Sequence, residues 1–289
     1  MFQDEQGCRW LKGNLHTHTT RSDGKAAPEE SAALYREYGY DFLALTDHWV
    51  VSENESVDGL LLLSGAEYNF GQNVREGIFH IVGTGMEHDP GVTRQDSPQT
   101  CVDKIRAAGG LVHLAHPAWS LNTPEQIASF TGLDAAEIYN SVSGLPRNCR
   151  PDSGFILDLC AAQGNFLPLI AADDTHFYYE ADTCRSFIRV RADECSRQSI
   201  LAAVRRGDFY ATQGPHLTVT REDRILRVRC SPASAVICYT DTVWENHRAD
   251  TGENLTEAQF TAADAATFAR IEVIDAQGNR AWSPFFDMH

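Results

Sequence analysis

The sequence predicts an α/β protein with a buried parallel sheet or barrel, followed by a small β-rich domain. Continuous apolar strands alternate with helical patterns over the N-terminal part of the chain, which is typical of strands buried on both faces. Beyond Gly214 and Pro215 the pattern changes to period-two alternation, as in half-exposed antiparallel strands. We therefore expect an α/β domain over residues 1–211 and a β-rich domain over residues 212–289.

Apolar spacing and terminal signals predict five helices. The first, over residues 28–38, has a proline and two glutamates in its opening turn, and Gly39 lies just past its end. The last, over residues 196–206, stops at Gly207. The helices between them are expected at residues 100–108, 123–130 and 154–163.

Short apolar runs bounded by turn residues predict the strands. In the α/β domain a first strand is expected to end near His16. The others are expected at residues 41–46, 60–64, 80–82, 111–114, 135–139 and 167–171. In the tail, strands are expected at residues 217–221, 225–230, 235–239 and 268–274.

Composition and charge exclude several classes of protein. The hydrophobic content of 43% is enough to bury a large core. The longest apolar stretches fall far below the ~20 residues that span a bilayer, and the first residues lack the basic and apolar regions of a signal peptide. The formal net charge of −16 disfavours loose binding to nucleic acids or to anionic membranes.

The cysteines predict a reducing compartment. None of the eight shows Cys-x-x-Cys spacing, and several lie in apolar helix or strand patterns. Because the chain also shows no export signal, we expect buried free thiols rather than disulfides, and a cytoplasmic location.

Residue types that bind metals recur where the apolar runs begin or end. His16 and His18 are one pleat apart, so in a strand both imidazoles face the same side and can reach one ion. Asp174 and His176 repeat this spacing, whereas His113 lies inside its run and is expected to be a core or supporting residue. Each motif alone is a weak signal. Six of the eleven histidines, however, begin, terminate or follow predicted strands, which makes coincidence a poor explanation.

The order of these residues resembles the PHP (polymerase and histidinol phosphatase) superfamily of metal-dependent hydrolases. The matching motifs are His16-Thr-His18, Asp23, Thr46-Asp-His48, Glu67, His80, His116-Pro117 and Asp174-Thr-His176. They fill all nine ligand positions of a trinuclear member, and residues 206–215 look like the segment that closes this domain in stand-alone bacterial members. The resemblance implies a distorted (β/α)7 TIM-like barrel with the ions at the carboxyl ends of its strands.

The resemblance also implies a ligand set. One ion would be held by His16, His18, Glu67 and Asp174, a second by Glu67, His80 and His116, and a third by Asp23, His48 and His176. Some members have histidine at the position of Asp23, so an aspartate there would weaken or retune the third site. Imidazole and carboxylate ligands without thiolate suit two to three ions of zinc, manganese or iron.

Hydrolysis of a small phosphate ester is the first functional hypothesis. Two ions bridged by Glu67 would lower the pKa of a shared water and present hydroxide to an electrophile, with Glu67 and Asp174 as bridging and orienting ligands. The ions would make the site locally cationic, which suits phosphate oxygens and the charge that develops as the P–O bond breaks. The expected substrate is a phosphomonoester or a nucleotide.

Side chains outside the ligand set are predicted to assist. Asp47 and His216 are candidates for protonating the leaving group, and His216 is also a candidate substrate contact. Arg147 and Arg21 are candidate phosphate contacts because a guanidinium binds two oxygens at once. An ordinary solvated loop arginine is an equally good interpretation of both.

Two other functions are compatible with the sequence. Metal-bound hydroxide also attacks carbonyl carbon, so a carboxylic ester, carbamate or amide hydrolase is the main alternative, favoured if an apolar pocket replaces arginines beside the metals. A non-catalytic or accessory PHP module is disfavoured because the ligand positions are filled and no polymerase-length partner region accompanies them. We expect the β-rich tail to cover one side of the active-site cleft, and no oligomeric state is predicted.

Overall fold

The computed structural model describes residues 2–3, 9–178 and 182–289. Its helices are α1 (Pro28–Glu37), α2 (Pro98–Ala107), α3 (Pro117–Ser120), α4 (Pro124–Ala128), α5 (Gly154–Ala162) and α6 (Arg197–Arg206). The five predicted helices are confirmed with ends that differ by at most two residues. The single turn of α3 was not predicted.

Local signals explain where the helices begin. Prolines occupy the first helical position of four of them, where the missing N–H would have no partner in any case. The side chains of Ser97, Thr123 and Ser196 precede α2, α4 and α6 and accept a hydrogen bond from the backbone of the first turn. These caps satisfy donors that the helix itself leaves free.

The first part of the chain supplies strands to two sheets. The smaller sheet has the order β10-β9-β8-β7-β6, from β6 (Gly65–Phe70), β7 (Phe79–Thr84), β8 (Leu111–Leu114), β9 (Ala135–Asn140) and β10 (Leu169–Ala172). The larger sheet contains β1 (Phe2–Gln3), β2 (Arg9–Asn14), β3 (Phe42–Ala44), β4 (Glu55–Val57), β5 (Leu60–Leu63), β11 (Phe187–Arg191) and β12 (Phe209–Thr212).

The expectation of a parallel sheet holds only in part. Strands β2, β3 and β5 are parallel neighbours, and so are β8, β9 and β10. Strand β7, however, runs antiparallel to both β6 and β8. The segment 71–78 between β6 and β7 is shorter than the dozen or so residues that a parallel crossover needs, so the chain turns back on itself there.

The two sheets adjoin through a direct connection of the chain and through isolated bridges, one of which joins His48 and Glu67. Ser64 alone separates β5 from β6. At the other end, Thr17 and Thr175 form a parallel bridge, in which the His18 N–H donates to the Thr175 carbonyl at 2.9 Å and the Asp174 N–H to the His16 carbonyl at 3.0 Å. The α/β class is confirmed, but the described residues form no closed sheet, so a TIM-like barrel is not confirmed.

The residues that follow Thr212 form strands and, within the described residues, no helix. These strands are β13 (Leu217–Glu222), β14 (Ile225–Thr240), β15 (Ala249–Thr261), β16 (Phe268–Ile274), β17 (Arg280–Trp282) and β18 (Phe286–Asp287). Two predicted strands merge into the long β14, and β15 was not predicted. Strand β17 pairs with β12, so the larger sheet runs without a break across the expected boundary at residues 211 and 212.

The cysteines only partly match expectation. All seven in the described ranges are free, and Cys101, Cys160 and Cys238 are buried. Cys149 is exposed, so the expectation of burial is wrong there, whereas Cys8 lies outside the described residues. In the described part of the chain, no helix combines the length and apolarity that crossing a bilayer requires.

Candidate metal centre

The predicted ligand residues meet at one edge of the two sheets. His16 and His18 follow β2, His48 follows β3, His116 follows β8, and Asp174 and His176 follow β10. Glu67 lies within β6 rather than after a strand, and His80 lies at the start of β7. Because β7 is antiparallel to its neighbours, its beginning reaches the edge where β8 and β10 end.

Four ligand atoms form a compact first group, made of His16, His18, Glu67 and Asp174. The Nε2 atom of His16 lies 3.2 Å from Glu67 Oε2, from Asp174 Oδ1 and from His18 Nε2. His18 Nε2 lies 3.0 Å from the same two oxygens. Donor atoms bonded at about 2 Å to one ion are separated by about this distance.

The other oxygen of Glu67 belongs to a second group. Glu67 Oε1 lies 2.7 Å from His80 Nδ1 and 3.5 Å from His116 Nε2. The hydroxyl of Ser120 lies 3.1 Å from His116 Nδ1, on the far side of that ring. Glu67 is therefore the carboxylate shared between the two groups.

A third group brings Asp23, His48 and His176 together with His18. Asp23 Oδ2 lies 3.3 Å from His176 Nε2 and 3.9 Å from His48 Nε2. This group is the most open of the three, because the side chain of Asp23 is 48% exposed whereas His16 and His18 are fully buried.

The residues fit divalent cations. Their donor atoms are imidazole nitrogens and carboxylate oxygens, the set that zinc, manganese and iron share. Two buried ligand atoms, Asp174 Oδ1 and His48 Nδ1, make no hydrogen bond in the described structure. Buried polar atoms are normally satisfied, so atoms left without a partner in a cluster of ligands are those that an ion would bind.

The carboxylates dominate the electrostatics of the cluster. Burial lowers the pKa of His18, but the carboxylates of Asp174 and Glu67, each with an oxygen 3.0 Å from Nε2, outweigh it and raise that pKa to about 9. Burial raises the pKa of Glu67, and the charge of His16 outweighs it, so the pKa of Glu67 lies well below its usual value. The cluster therefore favours positive charge, whether protons or metal ions supply it.

Two ligand residues have left-handed backbones. His116 has φ of 31° and Asp174 has φ of 51°, each just after a buried strand. Histidine and aspartate tolerate this region better than most residues, but it still costs free energy. The strain lies where the chain must leave the sheet and point a ligand back across its edge.

Asp47 and His216, the two candidates for protonating the leaving group, make contacts outside the three ligand groups. Asp47 accepts hydrogen bonds from the Thr19 N–H and hydroxyl and from the Ser22 hydroxyl, at 2.7 to 2.8 Å, and so anchors the loop that carries Asp23. His216 belongs to none of the ligand groups found among the described residues, and its Nδ1 lies 3.2 Å from the Tyr210 hydroxyl.

The two arginines differ in their surroundings. Arg147 is exposed, and its guanidinium lies 4.0 Å from the ring centre of Tyr178, which stacks on His176 at 5.4 Å. Arg21 is exposed in the loop between His18 and Asp23. The contacts of Arg147 thus lead through the ring of Tyr178 to the ligand side chain of His176.

Sequence reasoning missed several buried polar residues behind the ligands. Glu137 accepts hydrogen bonds from His16 Nδ1 and from the backbone N–H of His116. The side chain of Asn140 donates to Asp174 Oδ2 at 3.1 Å. Asp173 accepts from the side chains of Asn14 and Tyr35 at 2.7 and 2.6 Å. A carboxylate or amide inside an apolar strand run was the available signal, since such a group must find partners when buried.

Comparisons with known proteins give structural similarity only. No protein-family model and no curated protein matches the chain. Among solved structures, a two-domain protein from Bacteroides vulgatus that contains a predicted PHP-like metal-dependent phosphoesterase matches with a TM-score of 0.56. The two sequences are 17% identical, and the match covers 99% of this chain and 98% of that chain.

Two further solved structures match a smaller part. An amidohydrolase from Chromobacterium violaceum, solved with sulfate, is 17% identical with a TM-score of 0.42. A candidate metal-dependent phosphoesterase from Bifidobacterium adolescentis is 14% identical with a TM-score of 0.39. Each match covers 58% of this chain and 89% of the other. Over its whole length, this chain has the fold of a two-domain protein that contains a predicted PHP-like metal-dependent phosphoesterase, in agreement with the family resemblance of its sequence.

Proposed function

We propose that this chain is a metal-dependent hydrolase of small phosphate esters, with two to three ions of zinc, manganese or iron. The observation that carries the proposal is the position of Glu67, whose two oxygens belong to two different ligand groups. A carboxylate shared in this way is suited to bridging two ions. Ions so held supply hydroxide at neutral pH and stabilise anionic charge on the substrate.

The proposed ligand set follows the three groups. His16, His18, Glu67 and Asp174 hold one ion, and Glu67, His80 and His116 hold a second. Asp23, His48 and His176 hold a third, close to the imidazole of His18. The third position is the most exposed, so we propose that substrate enters from the side of Asp23.

The loop 143–150 supports a substrate site beside the ligands. At one point it lies against the third group, through Arg147, Tyr178 and His176. At the next residue, Asn148 accepts a hydrogen bond of 3.1 Å from the Trp119 indole, and that ring packs against His116 at 4.9 Å. Adjacent loop residues thus reach both sides of the cluster, and we propose that Arg147 contacts a phosphate oxygen of the substrate.

The contacts of Asp47 do not favour a role in proton transfer. Both oxygens of its carboxylate accept hydrogen bonds from Thr19 or Ser22, so they are engaged in holding the loop that carries Asp23. His216 lies 3.2 Å from the Tyr210 hydroxyl through Nδ1 and belongs to none of the ligand groups found among the described residues. We propose that solvent entering at the open third group, rather than either side chain, protonates the leaving group.

One observation favours the carbonyl hydrolase alternative. Trp119 lies 5.7 Å from His80 and 4.9 Å from His116, so an aromatic wall borders the second group. Such a wall suits an apolar leaving group more than a charged one. Activity on carboxylic esters or amides without activity on phosphate esters would select this alternative.

A substrate panel tests the proposal directly. Purified protein supplied with zinc, manganese or iron is assayed on phosphomonoesters, nucleotides, phosphodiesters and carboxylic esters. We expect phosphate ester hydrolysis that falls at least 100-fold in His16→Ala and Glu67→Ala, since each removes a ligand. The matched control His247→Ala changes a half-exposed histidine in the tail and should keep full activity. No hydrolysis by wild type, or full activity in the ligand variants, would reject the proposal.

The remaining assignments are proposals of the same kind. We infer that residues 1–211 form the hydrolase domain and that their two sheets correspond to the distorted barrel that the family resemblance implies. Residues 212–289 form the β-rich domain. A cytoplasmic location and a small-molecule substrate agree with this function, whereas an accessory module without activity would fail the substrate panel.

A further inference from the structure

Glu137 lies beneath the ligand cluster and is fully buried. It is the only charged side chain of β9, which lies between β10 and β8 in the smaller sheet. Within hydrogen-bond reach are His16, the backbone of His116, and Asn140. A buried carboxylate is costly unless its oxygens are well satisfied, so its position among ligand residues calls for a specific role.

Each oxygen of Glu137 serves a different ligand. Oε1 lies 2.7 Å from His16 Nδ1, and the opposite ring atom of His16, Nε2, faces the first ligand group. Oε2 accepts a hydrogen bond of 2.8 Å from the His116 N–H, at the residue with φ of 31°. Oε2 also accepts one of 2.7 Å from the Asn140 amide, and that amide donates to Asp174 as well.

We propose that Glu137 is a positioning residue that fixes the tautomer of His16 and sets the geometry of His116 and Asp174, without binding a metal itself. An acceptor at Nδ1 keeps the proton of the neutral imidazole on that nitrogen and leaves the lone pair of Nε2 for an ion. One carboxylate therefore orients ligand residues of both the first and the second group. This inference rests on the metal-binding part of the proposed function.

A fourth metal site is the competing interpretation. His16, His113 and Glu137 lie close enough together to hold an ion. His113 Nε2 lies 3.4 Å from Glu137 Oε1 without making a hydrogen bond. Glu137, however, already accepts three hydrogen bonds, and an ion bound to His16 Nδ1 would displace the shortest contact of that ring.

The isosteric substitution Glu137→Gln separates these roles. A glutamine has one acceptor and one donor end. If the NH2 group of the glutamine faces the His116 N–H and the Asn140 amide, donors are placed against donors. If the NH2 group faces His16 instead, His16 Nδ1 must accept its hydrogen bond. The proton of the imidazole then moves to Nε2, where it blocks binding of the ion. Asn140 cannot simply rotate, because its Oδ1 accepts from the Ser143 N–H at 3.0 Å.

The experiment measures metal affinity rather than catalysis. Zinc or cobalt is titrated into chelator-treated wild type and Glu137→Gln against a competing chelator, and the melting temperature of each chelator-treated protein is recorded. We expect the affinity of the tightest site to fall about 10- to 100-fold, the range measured when a residue that orients a ligand is replaced. The proposal is overturned if Glu137→Gln binds the metal with the affinity of wild type. It is also overturned if Glu137→Gln and His113→Ala each lose one bound equivalent of metal, as a fourth metal site would require.

A spectroscopic measurement gives a readout that general destabilisation would not produce. NMR spectra are recorded on zinc-loaded protein with 15N-labelled histidine, and the His16 signals are assigned by their loss in His16→Gln. In wild type, the ring proton of His16 should lie on Nδ1. Asn140→Ala removes the link to Asp174 but keeps the contact between Glu137 and His16. It should preserve this tautomer with a smaller loss of affinity, and it also serves if Glu137→Gln fails to fold.

A proton on His16 Nε2 in wild type, or loss of the Nδ1 proton in Asn140→Ala, would overturn the proposal. These results are independent of the reaction catalysed. If wild type binds metal but hydrolyses no ester, the proposed function fails while the role of Glu137 stands.

Discussion

Arg147 is the residue on which substrate recognition depends in this account. It is exposed, lies over the ring of Tyr178, and is connected through that ring to His176. A guanidinium over an aromatic ring is attracted to the face of that ring, and its planar set of N–H donors matches two oxygens of a phosphate.

Replacing Arg147 should therefore affect binding more than chemistry. We expect Arg147→Ala to raise the KM for a phosphate ester about tenfold with little change in kcat, because a contact made equally in ground and transition states is lost. Arg150→Ala changes an exposed arginine of the same loop and provides the control. Steady-state kinetics that show equal KM for Arg147→Ala and wild type would remove Arg147 from the substrate site.

Lys12 is a partly buried cation of β2, the strand that directly precedes the ligands His16 and His18. Its Nζ lies 3.9 Å from the ring centre of Tyr40 and 4.5 Å from that of Phe187, and it donates to the Tyr38 carbonyl at 3.0 Å. Burial, followed by the charge of Arg189, lowers its pKa to about 8. The folded protein therefore binds this proton less tightly than the unfolded chain does.

The sign of the pH dependence follows from that difference. Between pH 8 and the ordinary lysine pKa of 10.5, the unfolded state carries more of this proton, so stability rises with pH. Relative to Lys12→Met, the free energy of unfolding of wild type should rise by about 1 to 2 kcal/mol across this window, a value reduced because Lys12 is partly exposed. Urea unfolding at several pH values measures it, and a pH-independent difference would contradict the assignment.

At the level of elements, local chemistry determines most helix ends. Helix α6 is preceded by Ser196, whose hydroxyl accepts from the Ser199 N–H at 3.3 Å, and it ends at Gly207 with φ of 76°. The helix packs Ile200, Leu201 and Val204 into the core beneath the larger sheet. Its stability therefore contributes directly to the scaffold of the site.

Removal of this cap should destabilise the protein modestly. We expect Ser196→Ala to lower the free energy of unfolding by about 1 kcal/mol, because one N–H of the first turn loses its acceptor. Ser196→Asp keeps an acceptor and adds a charge that the helix N-terminus favours, so it should retain wild-type stability. Chemical denaturation of the three proteins compares them, and equal stability of Ser196→Ala and wild type would show that the cap contributes nothing.

The helices were predicted from the sequence more accurately than the strands. Helix positions were predicted because caps, prolines and glycines act within a few residues. The reversal of β7 was not predicted, because strand direction depends on which neighbours pair, and the apolar run containing His80 reads the same either way. The single long β14 was missed for a similar reason, since Ser231 and Pro232 resemble a turn but lie within a strand.

The candidate site was likewise predicted only in part from the sequence. The nine ligand candidates were identified from residue type and position, and the structure brings them into adjoining groups. Glu137 was missed because its partners, His16 and Asn140 among them, lie on other elements or outside any recognised motif. A side chain that acts through another residue leaves only a weak signal in the sequence, here one carboxylate inside an apolar strand.

Across the whole molecule, a buried ion network joins the tail strands to the ligand-bearing part. Arg270 of β16 is 2% exposed and makes two hydrogen bonds to Asp158 of α5, at 2.6 and 2.7 Å. Its other neighbour, Glu272, pairs with Arg280 at 2.7 Å, and Arg280 contacts Asp152 at the end of the loop that carries Arg147. The tail thus supports that loop from one side.

Breaking this network should be costly. Arg270→Met leaves Asp158 and Glu272 without their buried partner, and we expect a loss of about 3 to 5 kcal/mol in the free energy of unfolding. Arg227→Met alters a half-exposed arginine of the same sheet and should change stability by no more than about 0.5 kcal/mol. Urea denaturation distinguishes them, and a similar small effect for both would show that the network does not stabilise the junction.

The central claim is that this fold assembles a multinuclear metal centre in which Glu67 is shared. Metal content and affinity, measured by elemental analysis and chelator competition on wild type, Glu67→Gln and the control His247→Ala, test it most directly. The account predicts two to three equivalents of zinc, manganese or iron in wild type and in the control, and at least one equivalent fewer in Glu67→Gln. Wild-type protein that binds no divalent ion, or Glu67→Gln that binds the same number with the same affinity, would contradict it.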